Sequence, residues 1–126
     1  MSNGVRIWND DVLREIIEKG NAEKLNEIAS KLGKIYAQAK LSTSQIRTVL
    51  NEINSMQKFD KNRLQLLRPK LAYVAGRHQK TTPIIKNDFQ PLLDRAIQMV
   101  NEENFQNFKH FIEAIVAYHR FHGGKE

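Results

Sequence analysis

The chain predicts an all-α fold: one domain over residues 1–126, built as a compact bundle of five or six helices. Three observations carry this. Apolar residues recur at helical spacing along most of the sequence, and the period-two alternation of a half-buried strand is nowhere sustained. Only three prolines and six glycines are present, which leaves little room for hairpins. Helix start and stop signals fall at intervals that suit bundle helices. A length of 126 residues supports a single core and is too short for two well-stabilised ones.

Asn9 or Asp10 can cap a first short helix that runs to about Lys19, with Trp8 before it and Val12, Leu13, Ile16 and Ile17 on one face. Gly20-Asn21 ends it. A second helix is expected from about Ala22 to Ala39, buried through Leu25, Ile28, Leu32, Ile35 and Tyr36. Gly33 inside that pattern sacrifices about 1 kcal/mol of helix propensity relative to Ala, which points to a close helix–helix approach. In Leu41-Ser42-Thr43-Ser44-Gln45-Ile46, Ser42 and Gln45 have capping-box spacing, and Leu41 and Ile46 occupy the two positions of a hydrophobic staple. The third helix then runs to about Met56.

Asp60 can cap a fourth helix from Lys61 to about His78, buried through Leu64, Leu67, Leu71, Val74 and Ala75. Pro69 sits within it, and the apolar phase continues across the proline, favouring a kinked helix over two pieces. Residues 79–87 read as a linker with room to move. Asn87 or Asp88 is expected to cap a fifth helix, with Pro91 in its first turn and Leu92, Leu93, Ala96, Ile97 and Val100 facing inward. The last helix spans about Glu103 to Phe121 and is stopped by Gly123-Gly124.

The net charge of +6 is concentrated in the middle of the chain. Residues 41–80 hold eight Lys/Arg against Glu52 and Asp60, whereas the flanks come to +1 and −1. Such a local positive field suggests a polyanion. On a helical wheel of the fourth helix with Arg63 at zero, Lys70, Tyr73, Arg77 and Lys80 fall between about −20° and −100°, beside the buried stripe. A cationic stripe with one aromatic can track a phosphate backbone while Tyr73 stacks on a base. The bland alternative is a solvated basic face. Arg47 also points away from its helix's apolar face, and Lys40, Lys58, Arg68 and His78 lie near in sequence.

Other chemistries have weaker signals. Ser44, Gln45 and Arg47 near a helix start bear a passing likeness to a DNA-reading helix, but no Gly-containing turn precedes them. His110 with Glu113, and His119 with His122, have i,i+3 spacing, yet neither pair has a third ligand at fixed spacing; surrounding Phe and Ile make them core-capping histidines, and no metal site is expected. The chain has no cysteine, no phosphate-cradling glycine loop and no recognisable nucleophile–base arrangement, so no enzyme activity and no cofactor are expected. No apolar run approaches the roughly 20 residues of a membrane span, and MSNGVRIWNDD has no signal-peptide pattern. A cytoplasmic location with no membrane contact is the expectation.

Three stretches, LSTSQIRTVLNEI at 41–53, LLRPKLAYVAGRH at 66–78 and FKHFIEAIVAYHRFHGG at 108–124, together resemble the small helical subunit of the Csm effector complex of type III-A CRISPR–Cas systems. The resemblance covers most of the chain from Leu41 onward. It implies a non-catalytic subunit, present in several copies beside guide RNA and target RNA. Such a subunit contacts the repeated backbone subunits, the large subunit and its own neighbouring copies. Guide–target pairing then supplies specificity, and the protein holds phosphates without reading sequence. The expected RNA-binding set, from charge and wheel position, is Lys40, Gln45, Arg47, Lys58, Arg63, Arg68, Lys70, Tyr73, Arg77, His78 and Lys80. Within the resembling stretches, Gln45, Arg47, Arg68, Lys70, Arg77 and His78 also sit at matching motif positions. The alternatives are a helical protein–protein scaffold without RNA contact and a DNA-binding transcription factor.

Overall fold

The computed structural model describes residues 6–78 and 83–124, and every regular element among them is a helix. Asn9 caps α1 (Asp10–Leu13), its side chain accepting from the Val12 N–H at 2.9 Å. The helix widens at once into a π-helical turn over Arg14–Glu18. Gly20, at φ +65°, ends that stretch. Asn21 then caps α2 (Ala22–Gln38) by accepting from the Lys24 N–H. The expected capping box opens α3 (Thr43–Asn54): the Gln45 N–H donates to Ser42 Oγ at 3.2 Å, and the Ser42 N–H donates to Gln45 Oε1 at 2.9 Å. Leu41 and Ile46, the staple pair, are both buried. Asp60 starts α4 (Lys61–His78), accepting from the Arg63 N–H at 3.1 Å. This helix continues through Pro69 as one element.

The start of the fifth helix differs from expectation. Of the 79–87 stretch read as a linker, 79–82 lie outside the described residues, while 83–87 are helical. A π-helical turn over Ile85–Phe89 runs directly into α5 (Gln90–Met99). Buried Ile85 and Phe89 extend the apolar face backwards. Pro91 has no N–H to donate, and beside it the ladder is in the wider register, with the Gln90 N–H bonded to the Ile85 carbonyl. Asp88 is therefore not a cap. Its Oδ1 accepts from Tyr36 Oη–H at 2.7 Å and from Trp8 Nε1–H at 3.0 Å, which ties the N-terminal segment and α2 to this turn. Burial, and then the charge of Asp88, push the Tyr36 phenol well above its ordinary value.

The last helix, α6 (Phe105–Phe121), packs most extensively on α2. Gly33 makes this possible. A Cβ there would lie 2.6 Å from the His119 nitrogen and 2.7 Å from the Tyr118 carbonyl carbon. α6 ends as expected at Gly123 (φ +93°), with the Gly124 N–H returning to the His119 carbonyl at 2.8 Å. His119 is fully buried. Its Nε2 donates to the Leu41 carbonyl and its Nδ1 lies 3.5 Å from Thr43 Oγ1, so it fastens the start of α3 to α6. Any side chain at Gly124 would overlap its ring.

α4 turns its apolar face to α5 and the π-helical turn before it, and α3 turns its own to α6; α3 and α4 touch only lightly.

Candidate nucleic-acid interface

Helical phase carries Arg63, Lys70, Tyr73 and Arg77 to the outside of α4, as the wheel requires. Their electrostatic state differs from one residue to the next. Glu52 of α3 faces α4 and receives two cations: Arg63 Nη2 at 3.1 Å on Oε2, and Lys70 Nζ at 3.1 Å on Oε1. Hydrogen bonds from Lys70 and then Arg63 hold the Glu52 carboxyl below its ordinary value. Of the three cations of the stripe among the described residues, Arg63, Lys70 and Arg77, the first two are thus occupied within the molecule.

Arg68 is occupied more tightly. Its guanidinium makes a bidentate pair with Asp94 of α5, Nε to Oδ1 at 2.7 Å and Nη2 to Oδ2 at 3.2 Å, and its Nη1 donates to Gln65. The hydrogen bonds to Asp94 raise the Arg68 pKa. This residue staples α4 to α5 and has little left to offer a phosphate. Gln45 is similarly committed, its Oε1 accepting from both the N–H and the hydroxyl of Ser42.

Arg47, Lys58 and Arg77 are exposed and make no hydrogen bond or ion pair with any described residue. Lys61, in the first turn of α4, is in the same state, although its position on the wheel does not single it out. Lys40 is exposed at the end of α2, where it holds a left-handed φ of +67°. Tyr73 presents an uncovered ring, 68% exposed. His78 is the last residue of α4, and Lys80 lies outside the described residues. α3 and α4 are joined by a short loop and clamped at Glu52, so they run as a hairpin. Arg47 and Arg77 then lie toward one end of it, and Lys58 and Lys61 at the other.

Among the described residues no group of three or more His, Asp or Glu is placed to hold a metal ion. No helix among them is long and apolar enough to cross a membrane.

A family model described as Csm2 Type III-A matches residues 19–125. The chain is also 34% identical over 94 residues to the CRISPR system protein Csm2 of Streptococcus thermophilus, a span covering 68% of this chain and 76% of that protein. No solved structure matches the chain.

Proposed function

The chain belongs to the Csm2 family of type III-A systems, and from that premise we propose that it is a non-catalytic, RNA-binding structural subunit of a Csm interference complex in antiviral defence. It works in the cytoplasm beside guide and target RNA, in contact with other Csm subunits and with its own copies. The observation that carries the RNA reading is the set of exposed cations with no counter-ion among the described residues, Arg47, Lys58, Lys61 and Arg77, on the hairpin that also exposes Tyr73. Unpaired Arg and Lys release counterions when they meet phosphates, and Tyr73 adds a sequence-tolerant stacking surface. Specificity comes from guide–target pairing, so these residues hold backbone and need not read bases.

Binding of single-stranded RNA by the full-length chain, followed by fluorescence anisotropy, tests this. Two unrelated sequences are expected to bind within about twofold of each other. Four phosphate contacts predict a salt slope of about −3, so a fourfold rise in salt weakens binding roughly fiftyfold. Salt-insensitive binding, or strong preference for one sequence, would overturn the proposal. The internal pairing of Arg63, Lys70 and Arg68 favours a second reading, a helical scaffold that meets proteins alone. That reading predicts no RNA binding at physiological salt.

A further inference from the structure

RNA binding leaves the space between α3 and α4 without a use. Because each helix turns its core face to a different neighbour, the two diverge around a groove of about 380 Å³. Its walls include Val49, Leu67, Leu71 and Val74, and Thr48 and Lys70 stand at its edge. Leu66, 64% exposed, lies on the adjoining face of α4 and adds apolar surface beside it. The aliphatic walls offer no stacking plane, and the Glu52 carboxylate that also lines the groove repels phosphate, so this groove does not suit a nucleic acid. It suits apolar anchors projecting from another helix.

We propose that the α3–α4 groove receives an acidic amphipathic helix of a different protein. That helix would insert apolar side chains at i, i+3 or i+4 and i+7, with Asp or Glu flanking them. The argument for acidity is charge complementarity. Arg63 and Lys70 border the opening against the single carboxylate of Glu52, which leaves the rim positive. A second copy offering its own exposed apolar knob is disfavoured on the same ground. The most exposed such knob is Phe121, 80% exposed, and the sequence around it, with Arg120 and Lys125 against Glu126, keeps a net positive charge, the same sign as the rim. The anchor helix would sit over the apolar walls, its acidic flanks competing with Glu52 for Lys70. This inference does not rest on the RNA reading, which uses other cations.

The test places a photo-crosslinking benzoylphenylalanine at exposed Thr48, on the groove's edge, in the full-length chain assembled into a Csm complex. A second variant carries it at Asn51, which also lines the groove. Crosslinked peptides are identified by mass spectrometry in complexes that contain the variant at normal stoichiometry. The expected product joins this chain to an acidic, amphipathic helical segment of another polypeptide, and its yield falls at least severalfold when Lys70→Glu is added. Crosslinks to RNA, to a second copy or to a basic segment would overturn the proposal, as would no crosslink from either position.

Discussion

At Gly33 the α2 backbone lies against the α6 backbone, and the nearest atoms a Cβ would meet include main-chain atoms of His119 and Tyr118. Main chain of a packed helix cannot rotate away as a flexible side chain can. Gly33→Ala would gain about 1 kcal/mol of helix propensity and lose more through forced separation of α2 and α6. Net destabilisation of about 1–2 kcal/mol is expected, measured as a lowered urea midpoint. Lys40 presents the reverse case. It holds a left-handed φ at the end of α2, where the Leu41 N–H returns to the Tyr36 carbonyl in the pattern that glycine commonly closes. Lys40→Gly is expected to stabilise the fold by about 0.5–1 kcal/mol, whereas Lys40→Ala should not. The role of Gly33 is legible in the sequence, because a helix that gives up propensity inside its apolar stripe gains by letting a neighbour come close. The role of Lys40 is hidden there, since a lysine carries no signal of its backbone angle.

At the level of elements, local signals are readable in the sequence and long-range ones are not. The Ser42–Gln45 box, the Asp60 cap and the Gly123 stop each depend on residues within five positions, and all three form. The start of α5 differs from expectation because Asp88 resembles a cap in sequence but bonds Tyr36, 52 positions away, and Trp8, 80 positions away. The Glu52 clamp is invisible in the sequence for the same reason: Glu52 and Lys70 are 18 positions apart. Glu52→Gln removes the carboxylate that holds Arg63 and Lys70. Partial exposure limits the stability loss to about 1 kcal/mol or less. The two released cations should tighten RNA binding severalfold, in contrast to most substitutions in a binding region. The pH dependence has a definite sign. Because Glu52 is held below its ordinary value, the clamp contributes fully above the unfolded carboxylate pKa and is lost as pH falls through the lower folded one. Wild type should therefore lose stability on acidification below the ordinary carboxylate range by more than the Glu52→Gln variant, as thermal melts over that range would record.

Across the whole molecule, the positive charge that distinguishes residues 41–80 divides into two populations. Arg63, Lys70 and Arg68 are spent on Glu52 and Asp94, where they fasten α3, α4 and α5 together. Arg47, Lys58, Lys61 and Arg77 have no such duty among the described residues. Composition counts both populations alike, and only the fold separates them. The likeness to Csm small subunits is legible because its stretches coincide with structural necessities: the capped start of α3, the proline-bearing α4, and the α6 end where His119 and Gly124 pack. The most direct measurement of the central claim compares two variants of the full-length chain by RNA affinity and salt slope, with circular dichroism confirming that both fold. Arg47→Glu/Lys58→Glu/Arg77→Glu should lose well over tenfold in affinity and flatten the slope by about 2, roughly 0.7 for each phosphate contact removed. Arg63→Gln/Lys70→Gln should change affinity by less than about threefold, since both cations are already engaged by Glu52 within the molecule. Equal losses in the two variants, or unchanged binding in the first, would contradict the account.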